Sequence, residues 1–285
     1  MALSVRELRR KVQAIRRIQQ ITNAMRLVST ARLQRAQAHL RRVLPYCEEL
    51  AGMLERVLSD VGPLAGPYVS GNGSRAWAVL VVASDRGLCG GYNIAVLEKF
   101  EGLVSGRDAK EVLVVGMGRC ILRELRKRPY RIVAEFENPY VTPSYEDILP
   151  VATKLLALFE SGESGEVWAV YTKFESMGKF YPVAERLLPI EHKGGEPSGF
   201  GLYEPGAAEL LRELIPKAFL ARVFRCVSEA QAAEQAARMV AMAQATDNAQ
   251  ELIDKLTVEM NKARQAAITK EIAEVVTSAE VMAGG

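Results

Sequence analysis

Proline and glycine are both absent from Met1 to Leu44, and absent again from Lys217 to Ala283. These are the two residues that most often end or kink a helix, so each extremity of the chain is free to form one far longer than the three or four turns of a globular core. At ~1.5 Å rise per residue the C-terminal tract alone would span ~100 Å. A helical pattern sustained well beyond ~25 residues indicates a coiled coil or a membrane span. The second is excluded, because no stretch reaches ~18 consecutive apolar residues. The basic N-terminus also lacks the apolar segment and small-residue cleavage site of a secretory signal, and no Ser-rich processing region follows it. The chain is expected to be soluble and to stay where it is made.

Histidine is nearly missing as well: His39 and His192 are the only two. Neither has an acidic or sulfur neighbour at metal spacing, so no metal is assigned. The four cysteines, Cys47, Cys89, Cys120 and Cys226, form no CxxC or CxxH pair, which disfavours a zinc site and a disulfide framework and fits a reducing compartment. With so few histidines and with acids scattered along helix surfaces, no Ser/His/Asp, Cys/His or paired-carboxylate set can be assembled. Neither catalysis nor a cofactor is indicated.

What is present is unevenly placed. The net charge is only +3, yet residues 1–42 carry eleven Lys or Arg against one acid, Glu7, and the remainder is acidic. A positive helix is drawn to an acidic surface, whether nucleic acid, lipid headgroups or a protein cavity. The basic residues spread along the helix with no aromatic among them to stack bases. A basic stripe inside an acidic protein sleeve accounts for them as well as a nucleic-acid site does.

Apolar residues in the N-terminal helix alternate steps of three and four at Val5, Leu8, Val12 and Ile15, and again from Leu33 through Ala36, Leu40, Val43, Cys47, Leu50 and Leu54 to Val57. Between these series the register slips around Ile18, Ile21, Met25 and Val28. Pro45 should kink this helix without ending it. In the C-terminal tract Met239, Met242, Thr246, Ala249, Ile253, Leu256, Met260, Ala263 and Ala267 keep a strict seam, which then shifts by one residue to Ile268, Ile272, Val275, Ala279 and Met282. An interruption is expected at Pro216.

The Gly/Pro-rich stretch from Asp60 to Ser74 marks a boundary. Beyond it, Trp77–Ala83, Val112–Val115, Arg131–Phe136 and Val167–Phe174 read as strands and Ile148–Phe159 as a helix, in alternating β/α units. The fold class is therefore α+β: a long antiparallel two-helix coiled coil from the two ends, with an inserted Rossmann-like α/β domain. The segments are 1–60, 76–190 and 207–285.

Two glycine turns follow strands: Ser84 through Asn93, and Gly116-Met117-Gly118. Neither carries the Gly-Lys-Ser/Thr ending of a P-loop, and the second lacks the third glycine of the dinucleotide fingerprint. Structural turns are the better account, with a nucleotide-dependent enzyme as the alternative. Polar clusters at Thr246-Asp247-Asn248 and Asn261-Lys262-Ala263-Arg264-Gln265 fit a solvated face or contacts to a surrounding partner.

Taken together, Ile21 to Val28, Ser84 to Asn93, Leu187-Leu188-Pro189 and the run from Ala236 to Thr269 closely resemble the γ subunits of the F-type ATP synthases, end to end and in the family's order. The resemblance implies a non-catalytic rotor shaft, in single copy, that couples ion-driven rotation to ATP synthesis or hydrolysis. Its helix pair would occupy a ring of three α and three β subunits. The ε subunit and the membrane ring of c subunits would be its other partners, with no nucleic acid and no small-molecule substrate of its own. The location implied is peripheral, on the cytoplasmic side of a bacterial plasma membrane. By family position, Met25 meets the β-subunit lever, and Arg264, Gln265 and Thr269 meet a β catch loop. Arg238 falls in the coupling region of the lower stalk, and Ile272, Val275, Val276 and Met282 form the bearing tip. Three departures stand out: Asn23 in place of a lysine beside Met25, Ser29-Thr30 in place of an alanine pair, and an unlike tail after Val276. The cysteine-bearing regulatory insertion of chloroplast relatives is absent, so thiol control is not expected.

Overall fold

The computed structural model describes residues 4–61, 66–138, 142–192, 203–204 and 206–283. Helix α1 covers Val5–Val61 and α2 Pro67–Ser70. Strand β1 is Trp77–Val82, followed by α3, Tyr92–Val104. Then come β2, Val112–Met117, α4, Arg119–Leu125, and β3, Arg131–Phe136. Helix α5 is Tyr145–Glu160, β4 Glu166–Ser176, β5 Lys179–Leu188, and α6 Ala207–Ala283. These elements form two compact units: Met1–Val28 with Met239–Gly285, and Ser29–Arg238. The long helices contribute to both.

In the larger unit the strand order is β3-β2-β1-β4-β5. The first four strands run parallel and β5 antiparallel, so the parallel part has the Rossmann-like order expected of it. Alternation along the strands sends residues to two layers. Ala78, Leu80 and Val82 of β1 join Leu113, Val115 and Met117 of β2 in packing on α5, through Ile148, Val151 and Leu155, and on α6, through Phe219, Val223 and Val227. The other face, with Val79, Val81, Val112 and Val114, packs on Val96 and Phe100 of α3, on Ile121 and Leu125 of α4, and on Ala233 and Ala237 of α6. A third cluster joins Val43, Cys47, Leu50, Leu54 and Val57 of α1 to Leu211, Leu214, Ile215, Ala218 and Ala221 of α6. Cys47 Sγ lies 3.2 Å from the Ala221 carbonyl oxygen. The N-terminal seam from Leu33 to Val57 is thus an interhelical core.

Three expectations are corrected. Helix α6 runs through Pro216 without a break. The proline removes one backbone donor, but Leu214, Ile215, Ala218 and Phe219 are all buried around it, and this packing offsets a cost of roughly 3 kcal/mol. Strand β5 was not anticipated, because Pro182, Glu185 and Arg186 interrupt its apolar pattern. Proline is tolerated on an edge strand, and the two-residue loop Met177-Gly178 pairs Ser176 with Lys179.

The third correction concerns α1 in the smaller unit. No register slip occurs there. Val5, Leu8, Val12 and Ile15 are followed on the same seam by half-buried Gln19 and Thr22, whereas Ile18, Ile21, Leu27 and Val28 are exposed. The pairing is antiparallel: Gln19 Nε2 donates to Gln250 Oε1 at 2.8 Å, and the Thr22 and Thr246 hydroxyls are 2.9 Å apart. On α6 the seam residues Met242, Ala249 and Ile253 are buried, but every residue from Arg264 to Ala279 is exposed. Among the described residues the shifted series from Ile268 to Ala279 makes no seam.

Candidate functional site

The carboxyl ends of β1, β2 and β3 are where a doubly wound sheet offers a ligand crevice. In this chain the loop after β1 turns back on itself. Ser84 Oγ donates to the Arg86 carbonyl oxygen at 2.8 Å and lies 2.8 Å from Asn93 Oδ1, which also accepts from the Ser84 backbone N–H at 3.0 Å. The Asp85 carboxylate accepts from the Arg119 backbone N–H at 2.8 Å, and the Cys120 N–H is satisfied by the Ser84 carbonyl. Donors at the start of α4, which a phosphate would need, are therefore used by the chain itself.

The glycines of the second turn have local reasons. A Cβ on Gly118, whose φ is +111°, would lie 2.2 Å from the Ala83 carbonyl oxygen, and one on Gly116 would lie 2.3 Å from Leu122 Cδ2. Close backbone approach explains both residues.

Helix α6 stands at the same crevice. From Cys226 to Arg238 every residue is buried, and the abundant alanines let the helix approach the sheet closely. Tyr92 donates its hydroxyl to the Ala230 carbonyl at 3.1 Å. Asn138 Nδ2 donates to the Ala83 carbonyl at 2.6 Å and to Glu234 Oε2 at 3.4 Å, while the Gln231 side-chain amide donates to Asn138 Oδ1. Glu234 pairs with Arg238 at 2.7 Å, their side chains only 9% and 7% exposed. Arg238 also donates to the Arg86 carbonyl at 3.2 Å. Burial pushes the Glu234 carboxyl above the usual range, the Arg238 guanidinium opposes that rise, and the Asp85 charge adds to it. The result is a hydrogen-bonded latch between α6 and the β1–α3 loop.

A second knot lies on β5. Glu185 is bound by Arg225 at 2.6 Å, by Arg222 at 3.0 Å and by the Tyr171 hydroxyl at 3.0 Å. Arg222 also caps the carbonyls of Arg186 and Leu187 at the sheet edge. Burial raises the Glu185 carboxyl, but Arg225 and Arg222 outweigh it and hold the group below the usual range.

Of the residues given a role from sequence, only Arg238 falls in the latch; Asp85 and Arg86 lie in the glycine turn already singled out, and Glu234, Gln231 and Asn138 were missed. The usable signal was the alanine-rich run from Ala230 to Ala237, which implies burial on every side. In the smaller unit Met25 is half-buried and Arg264, Gln265 and Thr269 are exposed, with the Thr269 hydroxyl donating to the Gln265 carbonyl at 3.0 Å. Ile272, Val275 and Val276 are exposed by 59%, 68% and 50%. The Met282 side chain lies outside the described residues. His39 packs edge-on to Phe224 at 5.7 Å, and His192 Nδ1 is 3.1 Å from Glu55. Among the described residues no group of three or more His, Cys, Asp or Glu is placed to hold a metal, and no helix is long and apolar enough to cross a membrane.

The family model described as ATP synthase matches residues 4–282. The chain is 36% identical over 279 residues to the ATP synthase gamma chain of Desulfitobacterium hafniense, covering 98% of this chain and 99% of that one. It belongs to the ATP synthase gamma-chain family. The gamma chain of Rubrobacter xylanophilus is 37% identical over 290 residues, with 99% of each chain covered. Among solved structures, a chain of the Euglena gracilis mitochondrial ATP synthase OSCP/F1/c-ring assembly superposes with a TM-score of 0.72 at 18% identity, over 98% of this chain and 94% of that one. A chain from the Tetrahymena thermophila mitochondrial ATP synthase central stalk and c-ring gives 0.64 at 16% identity, over 79% and 99%. These distant likenesses concern the fold alone. The latch of Glu234 and Arg238 is thus a feature of a gamma chain's sheet unit.

Proposed function

We propose that this gamma chain is the central rotor shaft of F1, present in one copy and without a catalytic site of its own. In this reading the helix pair turns inside a ring of three α and three β subunits. The larger unit meets the ε subunit and the ring of c subunits, peripheral to a bacterial plasma membrane on its cytoplasmic side. The observation that carries the reading is the bare end of α6: sixteen consecutive exposed residues, Arg264 to Ala279, with Ile268, Ile272, Val275 and Val276 among them, form a helix face that calls for an enclosing sleeve.

The mechanism follows from symmetry. Two helices side by side have no threefold axis, so within a threefold ring they present a different face to each β subunit. A partner shifts a conformational equilibrium only through differential contact energy, and about 1.4 kcal/mol changes a population ratio tenfold. Rotation carries each site through its states in turn. One elementary charge crossing 100 mV releases about 2.3 kcal/mol, and several crossings sum into one catalytic step. Met25 serves at the β lever. Arg264, Gln265 and Thr269 hydrogen-bond the catch loop, Ile272, Val275, Val276 and Met282 form the bearing, and Arg238 serves in the coupling region.

Reconstitution with α and β chains tests this. Arg264→Ala with Gln265→Ala is expected to lower the torque of ATP-driven rotation while the isolated chain keeps its helicity. Undiminished rotation would contradict the assignment of these residues, and robust nucleotide turnover by the isolated chain would contradict the rotor reading itself.

A further inference from the structure

The corrected seam of α1 poses a physical question, since an apolar series was available and was not used. Ile18, Ile21, Met25 and Val28 keep three-four spacing, continue from Ile15 and would make an ordinary hydrophobic seam. Yet Ile18, Ile21 and Val28 are 54%, 60% and 47% exposed, and Gln19 and Thr22 face α6 instead. Adjacent helical positions differ by about 100° around the axis. The observed setting therefore turns the apolar stripe out of the interface by roughly that angle.

Beside the buried Leu8, Val12, Met242, Ala249 and Ile253, the observed seam carries a polar rung. Gln250 Nε2 is engaged by Asp254 of its own helix at 2.9 Å, which orients the amide so that Oε1 receives Gln19 Nε2 at 2.8 Å. The Thr246 and Thr22 hydroxyls, each resting against a carbonyl of its own helix at 2.7 and 3.0 Å, meet each other at 2.9 Å. In the competing rotation these contacts are lost. We infer that Gln19, Thr22, Thr246 and Gln250 are positioning residues that select the rotational setting of α1 on α6 against the apolar alternative, and so keep Ile18, Ile21 and Val28 outward. A polar seam position that chooses one register at some cost in stability is an established device in coiled coils. On the rotor-shaft reading, the outward stripe is then a contact surface for the surrounding ring, but the rotational setting itself belongs to this chain alone.

The test uses the isolated full-length chain, so its outcome does not depend on assembly. Single reporters, Ile18→Cys or Ile21→Cys, are placed one at a time in a Cys120→Ser background; the other three native cysteines are buried. Maleimide labelling of each reporter is followed by mass spectrometry, because thiol modification follows exposure. In the variant with Gln19, Thr22, Thr246 and Gln250 all changed to Ala, labelling of both reporters is expected to slow at least about fivefold as the stripe turns inward. The pair Thr22→Ser with Thr246→Ser, which keeps both hydroxyls, should label at the original rate. Unchanged labelling in the alanine variant overturns the inference. So does faster labelling with loss of circular-dichroism helicity, which would mean that the four residues hold the helices together rather than orient them.

Discussion

Residues 226–238 and 264–279 belong to one helix and are both rich in alanine, yet every residue of the first stretch is buried and every residue of the second is exposed. Intrinsic helix propensity does not separate them. The first lies among sheet, α3 and α5 side chains; there Ser228 Oγ, Glu229 Oε2 and Gln235 Oε1 are buried with no partner among the described residues, while Glu234, Arg238, Gln231 and Asn138 supply one another's partners. In the second, water serves that purpose. Thr269, Thr277 and Ser278 return their hydroxyls to carbonyls four residues back, and Lys270 reaches Glu274 at 3.6 Å. The contrast teaches that two stretches of α6 answer to different constraints, burial within the fold in one and solvation in the other.

The contrast is broken most severely by stranding the buried cation. Glu234→Ala leaves the Arg238 guanidinium in a dry site and should cost about 3–5 kcal/mol in urea unfolding, with the double change Glu234→Ala and Arg238→Ala recovering part of the loss. A cost as small as that of an exposed substitution would remove the latch from the account.

A pH titration of thermal stability gives an intermediate effect, of opposite sign for the Glu185 and Glu234 carboxyls. Glu185 is held below its ordinary value of 4.5. Its contribution is therefore present above that value and lost as pH falls through the lower folded value. Glu234 is raised above 4.5, so its contribution is present below that value and lost as pH rises through the folded one. Glu185→Gln should accordingly flatten the acid side of the profile, and an unaltered acid limb would count against the Arg222–Glu185–Arg225 knot.

The smallest effect belongs to the bare end. Ile272→Ala with Val275→Ala should leave the stability of the isolated chain within about 0.5 kcal/mol, as surface changes do, while impairing rotation in the reconstituted ring. A large loss of stability in the isolated chain would mean that this face is covered from within.

Strands β1 to β4 could be read to within two residues of either end because a buried parallel strand is a continuous apolar run, which little else imitates. Strand β5 could not, since its Pro182 and charged residues are permitted only by its place at the sheet edge and by the arginines of α6. The seam residues Leu33 to Val57 were legible, whereas Gln19 and Thr22 were not: hydrophobic periodicity cannot tell a face that meets its own chain from one that meets something else. At the latch, Arg238 could be picked out only by family resemblance, because Glu234 and Gln231 look like an ordinary solvated helix face.

From composition and spacing alone came the long uninterrupted helices, the strands and the alternation that divides their side chains between two layers. These depend on local backbone preference and on repeat length, properties of neighbours along the chain. Tertiary structure decided which stripe of α1 turns inward, whether Pro216 ends a helix and which charged residues are buried. The partners that settle those questions, Gln250 for Gln19 or Asn138 for Glu234, lie about a hundred residues or more away, and whether a polar group finds one is a matter of folded geometry.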